Sequence, residues 1–312
     1  MAVEAGDSFQ HEALLYEGDE GFLEGTVPFL EDGVSAGEDV LVVVDARKIA
    51  LLHRALGPIA DGIEFADMAG VGANPARIIP AWRNFADRAT DSGRGFRGIG
   101  EPVWPGRTAA QLAECHRHEA LLNLAFTGTG PWTLLCPYDA AALDPTVVEE
   151  AHRTHPTMTR AGSHYGSERY GGLSSFEVPF DDPLPEPGGP VAGLAFDGET
   201  LAPVRAFVRL SADGLGFDEE RTSALVLAVN EIATNSVLYG GGRGALRLWQ
   251  EPGALVCEVR DDGHIAEPLV GRALPPEDAP GGRGLWLANQ LCDLVQIRSS
   301  PAGTVVRLHV LD

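Results

Sequence analysis

Lysine is almost missing from this chain. Lys48 is the only one in 312 residues, and no G-x-x-x-x-G precedes it, so a working phosphate-binding P-loop is excluded. Basic residues are few in general: 23 Lys and Arg stand against 45 Asp and Glu, for a net charge of −22. A broad basic face for direct nucleic-acid binding is therefore not expected. No apolar run reaches the 18 residues that a membrane span needs, so no membrane association is expected. The first ten residues, MAVEAGDSFQ, lack a basic start and an apolar core, so no signal peptide is expected and the cytoplasm is the expected location. Cysteine is scarce too. Cys115, Cys136, Cys257 and Cys292 form no C-x-x-C pair and read as reduced thiols that fill cores.

What is present is ordinary globular composition, 44% hydrophobic and 22% charged, at a length that suggests two domains. The chain is organised around Leu225–Asn235, LVLAVNEIATN. Leu225, Ala228, Val229 and Ile232 recur at helical spacing, so one stripe faces a core. Glu231 and Asn235 lie four residues apart, a rise of about 6 Å on a helix, so their side chains share one space. A carboxylate there can accept a proton and an amide oxygen can bind a hard cation such as Mg²⁺. A lone E-x-x-x-N is more often a solvated helix face, and the downstream sequence is what changes the odds.

Residues 1 to about 160 alternate strand-like and helix-like segments. Val40–Val44 is an unbroken buried strand, Ala46–Leu56 a helix, Ile63–Phe65 a strand and Pro75–Ala89 a helix. Phe96–Val103, Ala109–Phe126, Trp132–Tyr138 and Pro145–Arg153 continue the alternation. That pattern predicts a mostly parallel sheet with helices on both faces. Polar residues recur where such a sheet places a pocket: His11, Tyr16, Glu101, Glu114 with His118, Tyr138 and His155. They fit a ligand or metal site, or an exposed ion pair with scattered histidines; no metal-ligand spacing is satisfied.

Taken in order, QHEALLYEG (10–18), RGIGEPVW (97–104), ECHRHEALLN (114–123), CPYDA (136–140) and HRTHP (152–156) resemble the MEDS sensory domain. The resemblance implies a RecA-like fold without its nucleotide loop, sensing a small molecule or other signal. Its implied sensory pocket comprises His11, Tyr16, Glu101, Glu114 and His155.

Residues 161–193 are rich in Gly, Ser and Pro and read as a linker, with Phe176–Phe180 able to pair as an edge strand. Residues 194–312 form the second expected domain. Thr200–Leu210 reads as a helix, and Asp218 caps the helix that carries Glu231 and Asn235. Ala245–Gln250 and Ala254–Arg260 form an expected antiparallel pair that ends at Asp261-Asp262-Gly263. A loop rich in Pro, Gly and acid, residues 264–280, follows. Gly281-Gly282-Arg283-Gly284 then opens a helix, Leu285–Cys292, and two strands, Leu294–Arg298 and Thr304–Val310, close the domain.

Each piece suits a nucleotide. Glycines before a helix let backbone N–H groups approach phosphate, and Asp261 at a strand end can accept from an exocyclic amine while Gly263 leaves room for a ring. The ordered set VNEIATN, VRDDG and GGRGLWLANQLCD resembles the GHKL (Bergerat) ATP-binding family and, within it, the anti-sigma regulatory factor of serine/threonine-kinase type. That resemblance implies an α/β sandwich, a mixed sheet with helices on one face, binding ATP and Mg²⁺. It implies Mg²⁺ on Asn235, general base at Glu231, adenine recognition by Asp261 and Gly263, and phosphate contact at Gly282 and Gly284, while Arg283 reads equally as an extra phosphate contact or as a solvent-facing helix-start residue. Ile265 stands where the first glycine box usually has its second glycine. Implied partners are a sigma factor and an anti-anti-sigma (STAS-type) protein, in transcriptional and stress regulation; a homodimer is compatible. The expected function is a kinase acting on the anti-anti-sigma partner under sensory control. A module that sequesters sigma without phosphotransfer and a sensor with an inert nucleotide half are the competing readings.

Overall fold

The computed structural model describes residues 9–177, 182–275 and 282–311. The chain divides into two compact units, Met1–Glu177 and Val178–Asp312.

In the first unit the elements run β1 (Gln10–Tyr16), α1 (Gly18–Ser35), β2 (Asp39–Val44), α2 (Ala46–Leu56), β3 (Glu64–Asp67), α3 (Met68–Val71), α4 (Ile78–Ser92), β4 (Phe96–Gly100), α5 (Ala109–Ala125), β5 (Thr133–Asp139), α6 (Pro145–Thr154), β6 (Thr157–Arg160) and β7 (Ser163–Gly166). The sheet order is β3-β2-β4-β5-β1-β6-β7, and every pairing is parallel except β6 with β7. Parallel strands need crossovers, and the helices between them supply these on both faces. Tyr16, Leu14 and Val42 pack with Phe22 and Leu30 of α1 and Leu52 of α2 on one face.

Side chains alternate along a strand, so His11 projects from the opposite face to Tyr16. There it meets α5, through Glu119 and Asn123. Helix starts follow their caps. Asp45 accepts from the Lys48 N–H, Asp144 from the Thr146 N–H, and Thr108 forms a reciprocal capping box with Gln111.

No element is expected from sequence between Tyr16 and Asp39, yet α1 fills it. Its glycines serve packing: a Cβ at Gly25 would lie 2.6 Å from a Leu14 methyl. The stretch read as a linker is also structured in part. Residues 163–166 are β7, the outer strand beside β6, and the Arg153 Nη1 donates to the Ser175 carbonyl at 2.7 Å. Residues 178–180 of the expected edge strand lie outside the described residues.

The second unit contains β8 (Ala192–Asp197), α7 (Leu201–Gly214), α8 (Glu219–Tyr239), β9 (Arg243–Glu251), β10 (Ala254–Asp261), α9 (Arg283–Leu291), β11 (Leu294–Ser300) and β12 (Gly303–Leu311). The sheet order is β11-β12-β10-β9-β8, antiparallel at every pairing rather than mixed. The hairpins β9–β10 and β11–β12 impose that direction on most of it. α7, α8 and α9 cover one face with Val204, Val208, Ala228, Ile232 and Leu285 against Leu246, Cys257, Val306 and Leu308.

The other face is polar. Fully buried Glu258 accepts from Arg247 at 2.9 Å, Arg260 at 2.7 Å and Arg307 at 2.6 Å. Residues 182–186 lie along this face: Glu186 accepts from Arg247 and Arg260, and the Pro185 carbonyl from Arg307.

Candidate functional site

α8 is built as the sequence suggests. Asp218 caps it by accepting the Arg221 N–H at 2.8 Å, and its buried stripe is Leu225, Ala228, Val229 and Ile232. Glu231 and Asn235 both lie half-buried at the edge of that stripe. They point at the start of α9. A Cβ added to Gly284 would sit 2.9 Å from Asn235 Nδ2 and 3.3 Å from Glu231 Oε2. Only a residue without a side chain lets the acid and the amide reach this helix start. Gly282, the residue before α9, has φ +91°, a left-handed turn that glycine adopts without strain. Arg283 is exposed at the first position of α9. Gly281 lies outside the described residues.

A cavity of about 280 Å³ opens between α8, the end of β10, the start of α9 and β12. Asn235, Asp261, Gly263 and Gly282 all line it, with Ile232, Ile265, Leu285 and Val306 as apolar walls. Asp261 is held from two sides: Ser236 Oγ donates to Oδ2 at 2.6 Å and the Gly263 N–H to Oδ1 at 2.8 Å. Each carboxylate oxygen has a second lone pair, so Asp261 can still accept from a ligand. A Cβ at Gly263 would come 2.8 Å from the Tyr239 carbonyl, so the turn has no room for a side chain. Thr304 donates to the Gly263 carbonyl at 2.9 Å and fixes the turn to β12. Ile265 packs against the core, and its N–H donates to Ser299 Oγ at 2.8 Å. The chain leaving the turn is therefore tied to β11. Glu231 is not on the cavity wall but one helical turn from Asn235, at the α9 end. A carboxylate at one end of a flat apolar slot and a helix N-terminus at the other suit a planar base carrying an anionic tail.

In the first unit the five expected sensory residues fall into separate groups. Tyr16 and Glu101 meet on one face of the sheet, with Lys48 added. Tyr16 Oη donates to Glu101 Oε1 at 2.7 Å, and Lys48 Nζ lies 2.5 Å from Glu101 and 2.7 Å from Tyr16 Oη. All three are buried. Burial first, and then the neighbouring Glu101 charge, pushes the Tyr16 hydroxyl well above its usual pKa. A cleft of about 730 Å³, lined by Glu12, Glu17, Glu20 and Glu24, opens beside Tyr16.

His11 and His155 meet on the opposite face, ring centroids 4.0 Å apart, with Glu119 and Cys136 beside them. Burial first, and then His155, lowers the His11 pKa to about 4. Burial, then the Glu119 charge, pushes the Cys136 thiol well up. Glu114 is buried on α5. The expected single pocket is thus two clusters separated by the sheet. Lys48, Glu119, Asn123 and Cys136 are the partners that sequence reasoning passes over. Glu119 and Asn123 carry one available signal, the same four-residue Glu–Asn spacing as Glu231 and Asn235.

Residues 10–156 match the MEDS family, described as MEthanogen/methylotroph, DcmR Sensory domain. Residues 194–310 match the family described as histidine kinase-like ATPase domain. Both domain resemblances drawn from the sequence are borne out at that level. Among solved structures, one titled as the RsbU and RsbW domains of Rv1364c from Mycobacterium tuberculosis is 20% identical, with a TM-score of 0.31. The match covers 39% of this chain and 32% of that one. No curated protein matches. Among the described residues, no helix is long and apolar enough to cross a membrane.

Proposed function

The chain carries a MEDS sensory domain and a histidine kinase-like ATPase domain, and from that pairing we propose that it is an anti-sigma regulatory factor that phosphorylates a serine or threonine of an anti-anti-sigma partner. The observation that carries this reading is that Glu231 and Asn235 both face Gly284 at the start of α9, beside a cavity that Asn235, Asp261 and Gly263 line. The residues present fit Mg·ATP: Gly284 leaves a cradle that a Cβ would fill, and Asp261 keeps acceptor capacity toward the cavity.

Bound ATP would supply the phosphoryl group. Asp261 would receive the exocyclic amine of the base, and Ile232, Ile265 and Val306 would flank the ring. The Asn235 amide oxygen would hold the cation, with Gly282, Arg283 and Gly284 offering donors to the phosphates. Glu231 would take the proton of the incoming hydroxyl, since a carboxylate beside the phosphate end serves no purpose in simple nucleotide holding. The expected partners are a sigma factor and the anti-anti-sigma protein, and the net charge of −22 suits a basic partner surface. The MEDS unit would bias the activity by binding its signal more tightly in one of two arrangements of the chain.

The test is transfer of labelled phosphate from ATP to a paired acceptor. Wild-type protein should label it and Glu231→Ala should not. A fully active Glu231→Ala protein would sink the kinase reading. Sigma capture by an Asn235→Ala protein, undiminished without nucleotide and with no labelling by wild type, would favour a sequestering module instead. The anchored Ile265 is the feature that would suit that outcome, because it ties the start of the loop to the sheet.

A further inference from the structure

The buried cluster of His11, Glu119, Cys136 and His155 has no part in the nucleotide reading. His11 comes from β1, Cys136 from β5, Glu119 from α5 and His155 from the end of α6. The register sets Cys136 opposite Ala13, so Cys136 and His11 project from one face of the sheet onto α5 and α6. One ligand-type atom from each of the four residues lies within 4.8 Å of all the others.

Hydrogen bonding fixes both imidazoles. Asn123 Nδ2 donates to the Thr154 carbonyl at 2.8 Å, which turns its Oδ1 toward His11 Nδ1 at 3.1 Å. An amide oxygen and a carboxylate both accept, so His11 donates to Asn123 from Nδ1 in one tautomer and to Glu119 from Nε2 in the other. His155 Nδ1 lies 2.9 Å from the Ala151 carbonyl and donates to it, since a carbonyl oxygen only accepts. With the proton of each ring on Nδ1, both Nε2 atoms present lone pairs. They face the same carboxylate oxygen: Glu119 Oε2 is 3.0 Å from His11 Nε2 and 3.3 Å from His155 Nε2. Cys136 Sγ is 3.3 Å from His11 Nε2. Among the described residues, Glu119 Oε1 has no hydrogen-bond partner, and His155 Nε2 has only the 3.3 Å ion-pair contact with Glu119 Oε2.

Two imidazole nitrogens, a carboxylate oxygen and a thiol gathered at one point without solvent need a positive charge among them, supplied by a ring proton or by a metal ion that takes its place. We propose that these four residues bind a divalent transition-metal ion of the zinc class, in a tetrahedral site with two nitrogens, one sulfur and one oxygen. The spacing suits it. Bonds of about 2.0 to 2.3 Å to a tetrahedral zinc place neighbouring ligand atoms about 3.3 to 3.6 Å apart. The three pairs at 3.0 to 3.3 Å need only a few tenths of an ångström of opening, and the remaining pairs, all within 4.8 Å, adjust as the ion enters. Both imidazoles are already oriented as zinc sites use them, with Nε2 inward and Nδ1 against a carbonyl-type oxygen. Binding displaces the Cys136 thiol proton to solvent, leaving the thiolate as ligand. All four residues are sealed from solvent, so the ion enters as the unit folds. The donor set differs from the oxygen-only ligands expected of Mg²⁺, so this site stands independently of the nucleotide site.

The test uses the tag-free full-length chain, produced in medium supplemented with Zn²⁺ or Co²⁺ and dialysed against a chelator. Elemental analysis should find about one metal per chain. The Co²⁺ form should show intense visible bands of a four-coordinate ion and a thiolate-to-cobalt charge-transfer band in the near ultraviolet. Cys136→Ser should lose the charge-transfer band, and Cys257→Ser, in the other unit, should keep it. Asn123→Ala, which removes the group that orients His11 together with its bond to the Thr154 carbonyl, should keep the band and weaken zinc about 10- to 100-fold. Metal-free wild-type protein from replete medium would overturn the proposal. So would a Co²⁺ form without the charge-transfer band, a readout that does not depend on any variant folding. Metal that persists in a His155→Gln, Cys136→Ser double variant would place the ion elsewhere and overturn it too.

Discussion

Replacing Glu231 by Gln keeps its volume and removes its basicity. Phosphotransfer should fall by about 10²- to 10⁴-fold, the usual worth of a positioned base. ATP affinity, read by calorimetry, should stay within a few-fold, because Glu231 does not line the cavity. Gly284→Ala tests the opposite failure. Its methyl would occupy the space 2.9 Å from Asn235 Nδ2, so the amide must turn away. Mg·ATP affinity should drop at least about tenfold, equivalent to about 1.4 kcal/mol, with the far-ultraviolet dichroism unchanged. At this scale the sequence is informative where both partners lie on one helix. Glu231 and Asn235 are neighbours by helical geometry alone. Glu119 is not legible in the same way, because its partners come from two strands and a second helix, and only the sheet order brings them together.

The elements themselves are legible where a cap and an apolar stripe agree, as in α8 with Asp218 and Leu225, Ala228, Val229 and Ile232. They fail to show where packing overrides composition. α1 contains Pro28 and several glycines, which read as a loop, but Gly25 is small because β1 passes beneath it. The strap at residues 182–186 is equally hidden, since its arginine partners come from β9, β10 and β12. Glu258, at the centre of that face, supports a prediction of its own. Removing one partner of a buried charge group leaves the rest uncompensated, so Glu258→Ala should destabilise the second unit by about 3 to 5 kcal/mol in urea unfolding. Burial works to raise the Glu258 pKa, but hydrogen bonds from Arg260 and Arg307 outweigh it and hold it below its ordinary value of 4.5. Arg247 and Arg260 lower the Glu186 pKa to about 2. Depressed native pKa values mean that these carboxylates stabilise the fold above their unfolded pKa, and the contribution is lost as pH falls through the native ones. Stability of the second unit should therefore decline from about pH 4.5 toward pH 2. Glu258→Gln should show a shallower decline over that range, measured by denaturation at stepped pH.

Two units with separate cores should melt as two transitions in calorimetry. Mg·ATP at 100 times its dissociation constant should stabilise the unit that binds it by about 2.7 kcal/mol. If only that transition moves, the units act independently in the absence of a signal. If both move, nucleotide and sensory unit are coupled, as regulation would require. The lone lysine offers a further handle on the first unit. Lys48 has 8% of its side chain exposed and is clamped by Glu101 and Tyr16. Acylating reagents thus find no accessible ε-amine on the native surface. Modification at that single position can proceed only when the clamp opens, so its rate, followed by mass spectrometry with and without a trial effector, is a clock for the breathing of the first unit alone.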